Sequence, residues 1–225
     1  MRLKNPNDED AIKNSGGAIY TIGSYKLQVN GPTSDIDALL VVPKDIERDA
    51  HFFGMLAPRL KSKIDHIQAL TEVREAFVPV IKMVFDGVEI DLLFARVDRK
   101  KVVNFGIDDI IDDNILRNCD EKTIRSLAGA RDTNKILQLV PNKAHFELVL
   151  RCIKLWAKNR GIYANVMGYF GGITWALLVA KICIDNPNAQ PNKLLARFFE
   201  FYSTYSWGED YPIRITEIRD DVPIP

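Results

Sequence analysis

The 225-residue chain is expected to fold as α+β, with a mixed sheet backed by helices in its first part and a helical region after it. Three observations predict this. The run Ile36 to Val42 is apolar on both alternating faces, as a strand covered above and below must be. Phe77 to Phe85 and Val88 to Phe94 flank Asp86-Gly87, a strong hairpin signal. From Leu116 onward apolar residues recur at helical spacing, broken at Pro141, Gly161 and Pro187. The boundary is expected at the acidic segment, giving residues 1–114 to the sheet-bearing domain and 115–225 to the helical one.

The N-terminal stretch Met1 to Pro6 is polar and holds no signal core. A turn follows at Gly23-Ser24, where a residue without a β-carbon permits close backbone approach. The first strand runs to Val42, and a helix after Pro43 is expected to carry Phe53, Leu56, Leu60 and Ile64. Further strands are expected at His66 to Leu70 and across Phe77 to Phe94. Asp108 to Asn114 reads as a solvated connector. Helices are expected over Thr123 to Leu139, Phe146 to Arg160, Gly172 to Asp185 and Leu194 to Tyr205.

Within this frame three acids stand out. Side chains alternate along a strand, so Asp35 and Asp37 project from one face, continued by Leu39 and Val41. Asp91 lies in the apolar run Val88 to Phe94, where it can meet that pair across neighbouring strands. Ionised carboxylates gathered at a half-buried point cost several kcal/mol each unless a cation lies between them. With no histidine or cysteine cluster nearby, hard oxygen ligands of this kind suit magnesium or manganese. Two such ions can activate a hydroxyl and stabilise the leaving oxygen of an in-line phosphoryl displacement. Gly23-Ser24 adds amides and a hydroxyl suited to phosphate oxygens.

Long collinear motifs extend this reading: Ile22 to Leu27, Gly31 to Leu39, Ala76 to Lys82, Val88 to Arg96, Leu116-Arg117-Asn118, Ile153 to Ala157, and Tyr163 to Val166 through Gly171 to Ala176. On these residues the chain resembles the eukaryotic nuclear poly(A) polymerases of the DNA polymerase beta-like nucleotidyltransferase superfamily. The resemblance implies a palm-like catalytic lobe followed by a helical central domain. It also implies transfer of AMP from ATP to an RNA 3′ end, with Mg2+ or Mn2+ in a two-metal site. By the same resemblance Asp35, Asp37 and Asp91 are the catalytic, metal-holding triad, with Ile36 between the first two. Gly23 and Ser24 match the phosphate-contacting pair and Lys154 the phosphate-binding lysine. Tyr163 and Asn165 match adenine-recognition positions, Gly172 and Ile173 the contact after a double glycine. Phe77 and Lys82 match positions near the incoming nucleotide and primer end. Cleavage and polyadenylation factors are implied partners, and the nucleus the implied location. Full-length relatives carry a separate RNA-binding domain, which this chain is expected to lack, and with Pro225 following soon after the Trp207 region the helical domain is expected to be cut short, with exposed apolar faces. Ile22 stands where the family commonly has phenylalanine.

Composition narrows the alternatives. Acidic and basic residues balance at 30 each, so no global basic field holds nucleic acid and any grip must be local. The three cysteines show no metal or redox spacing, which fits free thiols. No apolar stretch is long enough to span a bilayer, and no membrane association is expected. Two other readings stay open at this stage: transfer of a different nucleotide, and a catalytically inactive scaffold that binds RNA-processing proteins.

Overall fold

The structure, a computed structural model, describes residues 16–32, 34–163, 165–208 and 212–216. The polar N-terminal stretch and the motif positions Thr33 and Ala164 lie outside these residues. Five strands form one mixed sheet: β1 (Ala18–Thr21), β2 (Ile36–Val42), β3 (Ile67–Val73), β4 (Val80–Phe85) and β5 (Val88–Arg96), in the order β1-β2-β5-β4-β3. Only β2 and β5 run parallel; the other neighbours are antiparallel. The β4–β5 hairpin turns at Asp86 and Gly87, both at positive φ (46° and 81°), the geometry that suits the right-handed twist of the flanking strands.

Period two divides the sheet's two faces between two cores. Leu39, Val41 and Ala95 join Ile22, Val97, Ile110, Leu127 and Ala130 on one side. Ala38, Val42, Leu92 and Phe94 join Phe52, Phe53 and Ala57 on the other. The latter core is closed by a π-helix, Arg48–Leu56, running into α2 (Ala57–Lys61); α1 (Gly23–Lys26) precedes β2. One regular helix through Ile64 was the sequence expectation. The wider π turn, marked by a Phe52 N–H to Glu47 carbonyl bond of 3.3 Å, instead turns the adjacent residues Phe52 and Phe53 inward together. The chain leaves α2 after Lys61, and Ile64 sits in a turn, exposed.

The acidic segment is also more than a solvated connector. It forms α3 (Ile107–Ile111) and a 3-10 turn, Asp113–Leu116, and buries Ile110 and Ile115. Its acids act locally: Asp109 accepts from the Gly106 amide and from Arg99, both at 2.8 Å, and Asp112 caps the Asn114 amide at 3.0 Å. These bonds hold both carboxyls below the usual aspartate range.

Four longer helices follow: α4 (Glu121–Leu139), α5 (Lys143–Asn159), α6 (Gly172–Asp185) and α7 (Pro191–Thr204). Phe146, Val149, Leu150, Ile153 and Ala157 of α5 pack with Trp175, Val179 and Ile182 of α6 and Leu194 and Phe198 of α7. Leu27 and Val29 belong to this helical core, although they precede β2 in sequence. The compact units accordingly differ from a division at 114/115. Among the described residues, one holds those up to Ile22 with Ser34–Arg131; the other holds those within Gly23–Thr33 and Asp132–Asp221. The change falls inside α4, whose Leu127 and Ala130 serve the sheet core and whose Ile136 serves the helical one. Leu148, Leu155, Val166, Met167 and Trp207 of the helical unit are exposed apolar residues. No helix among the described residues is long and apolar enough to cross a membrane.

Candidate active site

In the sheet unit the parallel ladder sets Asp37 opposite Asp91, one step after Ile36 opposite Ile90. Asp35 lies two residues before Asp37 and shares its face. Oxygens of the three carboxylates all come within 4.8 Å of one another, and each residue is half-buried. The backbone beneath them is pinned, since the Ile22 amide donates to the Asp37 carbonyl at 2.9 Å. The face is then sealed by Leu39, Val41 and Ala95.

The electrostatics are those of a cation site. Burial first, then the charges of Asp35 and Asp91, push the Asp37 carboxyl up to about 6, with Lys82 pulling the other way. Lys82 stands opposite Asp91 in the β4–β5 register and pairs with its carboxylate. Three carboxylates against this one ammonium leave two negative charges. That remainder, held on hard oxygen donors, fits a divalent cation.

Phe77 precedes β4 and is exposed, with the Arg125 guanidinium stacked on its ring. Arg125 carries no motif signal; a lysine or arginine on a helix reads by default as a solvated side chain. Its role is visible only once α4 is folded.

In the helical unit Gly23, at φ 59°, opens α1 in a backbone region that other residues enter at a cost. The carbonyls of Gly23 and Ser24 accept from the Leu27 and Val29 amides, both at 3.0 Å. Lys154 donates to the Val29 carbonyl at 2.9 Å, and Arg151, three residues earlier, bonds the Gln28 carbonyl. Lys154 thus lies along the strap that follows Gly23-Ser24. Arg151 was not singled out in the sequence, because its partner is a carbonyl more than a hundred residues away.

A second group forms where α6 begins. A Cβ on Gly172 would stand 3.0 Å from the Tyr163 hydroxyl, and one on Gly171 would stand 3.4 Å from the Asn165 Cβ. The first approach is tighter than ordinary packing, so Gly172 is what leaves room for the Tyr163 hydroxyl, while Asn165 packs beside Gly171 at normal contact distance. Trp175 ties down the loop through a 3.0 Å bond from its indole N–H to the Phe170 carbonyl. Ile173 is part-exposed beside Gly172. Lys158, unremarked in sequence, places its ammonium 5.3 Å from the centre of the Tyr163 ring. Structure therefore brings the three acids together in the sheet unit, with Phe77 held by Arg125 elsewhere in that unit; in the helical unit it sets Lys154 on the strap after Gly23-Ser24 and Tyr163 and Asn165 at the start of α6.

Comparison with known proteins places the chain among its relatives. Residues 1–140 match the poly(A) polymerase nucleotidyltransferase domain model, and residues 145–224 match the poly(A) polymerase central domain model. The chain is 44% identical over 220 residues to poly(A) polymerase PAPalpha of Candida albicans, covering 97% of this chain and 38% of that protein. It is 45% identical over 220 residues to poly(A) polymerase of Dictyostelium discoideum, covering 98% of this chain and 27% of that protein. The chain spans well under half the length of these curated relatives. Among solved structures, the polymerase core of TRAMP, an RNA surveillance complex, superposes with a TM-score of 0.53 at 22% identity, over 89% of this chain and 56% of that one. The Cid1 poly(U) polymerase superposes with a TM-score of 0.58 at 14% identity, over 88% and 65%. At these identities the two structures share the fold.

Proposed function

The chain belongs to the poly(A) polymerase family, and on that premise we propose that it is a polynucleotide adenylyltransferase, adding AMP from ATP to RNA 3′ ends. The observation that carries the proposal is the convergence of the Asp35, Asp37 and Asp91 carboxylates where the parallel strands β2 and β5 begin. These three would hold Mg2+ or Mn2+, which when bound supplies charge neutralisation for the triphosphate and activation of the attacking hydroxyl.

The chain's own residues have separable tasks. Asp37 presents its carboxylate from β2 and Asp91 from β5, so β2–β5 hydrogen bonding fixes their spacing before any substrate arrives, and Asp35 joins them from just before β2. Lys82 offsets one carboxylate charge. In the helical unit, Ser24 and Lys154 are the groups suited to phosphate oxygens. Tyr163 and Asn165, beside Gly171-Gly172, are suited to the adenine base, with Ile173 providing apolar contact. Nuclear location and association with cleavage and polyadenylation factors belong to the same reading, and family membership is their support.

The test is incorporation of each of the four ribonucleoside triphosphates onto an oligo(A) primer, with Mg2+ or Mn2+. The expected result is extension with ATP, lost in Asp91→Ala. Preferred incorporation of another nucleotide would overturn the adenylyl assignment. A folded protein that extends no primer would favour the scaffold reading.

A further inference from the structure

Phe77 is 72% exposed, the highest value for an aromatic ring among the described residues, yet it is held firmly. Arg125 of α4 places its guanidinium carbon 3.6 Å from the ring centre. The same group donates to the Phe77 carbonyl at 3.4 Å and pairs with Glu121 one helical turn earlier. Ring and backbone are thus gripped by one planar cation whose side chain is itself mostly covered, at 27% exposure. With one ring face under Arg125, the large remaining exposure belongs to the other face and the edge.

An isolated exposed phenylalanine needs no explanation. One clamped from below by a guanidinium is different. The cation draws on the ring's electron-rich face, and a fixed ring loses no rotamer freedom when a second flat group stacks on it. Nucleobases are such groups, and aromatic platforms for single strands accept any base because every base has a π-face. The Phe77 side chain carries no polar atom to read a base edge, and two of the Arg125 donors are engaged by Glu121 and the Phe77 carbonyl. This suits an acceptor strand better than selection of one nucleotide.

We propose that Arg125 is a positioning residue for RNA: it holds Phe77 as a stacking platform for a base of the acceptor strand. The inference rests on the adenylyl transfer reading for the identity of that strand. Its test is a double-mutant cycle read by fluorescence anisotropy of labelled oligo(A), which needs no turnover.

Phe77→Ala is expected to weaken RNA binding about tenfold and Arg125→Ala about fourfold, while the double variant binds about as Phe77→Ala does. Arg125→Lys keeps the charge but loses the plane, and is expected to fall with Arg125→Ala. In primer extension the Arg125 effect is concentrated in KM for RNA rather than KM for ATP. Additive losses in the double variant, full rescue by Arg125→Lys, or a shift confined to KM for ATP would each overturn the proposal. So would a wild-type chain that binds no oligo(A). If Arg125→Ala does not fold, Arg125→Lys alone decides, through the same cycle with Phe77→Ala. A wild-type chain that binds oligo(A) but incorporates no nucleotide refutes the adenylyl transfer reading, while the cycle still decides for or against Arg125.

Discussion

The acid triad and the residues at the start of α6 are built by different means. In the sheet unit, Asp37 meets Asp91 because a hydrogen-bonded ladder sets β2 against β5 in one register, with Asp35 one residue ahead of that ladder, so their spacing is a property of the backbone. In the helical unit, Tyr163 meets the start of α6 because Gly172 leaves room for its hydroxyl, and Asn165 packs beside Gly171, so their spacing is a property of packing. A ladder has no intermediate settings; a packed contact yields by tenths of an ångström. Damage to the first group is therefore expected to be all-or-none, and damage to the second graded.

The largest effect tests that difference directly. Asp91→Ala should lower ATP incorporation by about 10³-fold or more, since the cation loses a ligand whose charge stabilisation is of several kcal/mol. The variant should stay folded, because one of three mutually repelling carboxylates is gone. Magnesium should raise the melting temperature of the wild type but not of the variant. A variant that keeps turnover, or that unfolds, would show that Asp91 serves the fold instead.

Lys154→Ala comes next, with an expected rise of about tenfold in KM for ATP and a smaller change in kcat, from loss of a charged phosphate contact. An unchanged KM would reduce this lysine to its bond with the Val29 carbonyl. Gly172→Ala should be milder. Its new methyl stands 3.0 Å from the Tyr163 hydroxyl, and displacing that ring by a few tenths of an ångström should raise KM for ATP about threefold. A loss as complete as that of Asp91→Ala would erase the contrast between the two groups.

The smallest effect concerns stability without metal. Asp37 titrates at about 6 in the fold, against about 4 in an unfolded chain. Between those values the folded protein binds more protons than the unfolded one, so this group's contribution to stability falls as pH rises through the window. Asp37→Asn should therefore stabilise the metal-free protein at pH 7.5 by about 1 kcal/mol, a figure reduced for the site's solvent access. That corresponds to roughly 3 °C in melting temperature, with no gain expected at pH 4. Thermal melts at the two pH values decide it; a lower melting temperature at pH 7.5 would mean the carboxylate is a structural partner.

The ladder-built group was readable in sequence for the same reason that it is rigid. Period two puts Asp35 and Asp37 on one face, Asp86-Gly87 fixes the hairpin, and apolar neighbours on both sides announce a buried strand. The four long helices were equally legible from their apolar spacing and their breaks. What escaped depends on contacts remote in the chain. No local pattern distinguishes the π-helix that turns Phe52 and Phe53 inward together, and Arg125 became a clamp only when α4 met the loop before β4. The assignment of Gly23–Thr33 to the helical unit followed from Leu27 and Val29 finding their partners on α5 and α6. The acids of Asp108 to Asn114 looked like solvated charge because a carboxylate that caps a helix and one that faces water have the same letter.

The pairing of β2 with β5 also limits how this gene can vary. One codon gained or lost between Val88 and Asp91 would rotate the strand's remaining side chains by half a turn, carrying the carboxylate toward the face where Phe52 and Phe94 pack. Point substitutions around the triad can be sampled singly, but length changes there cannot. Natural variation in this stretch should consist of replacements alone.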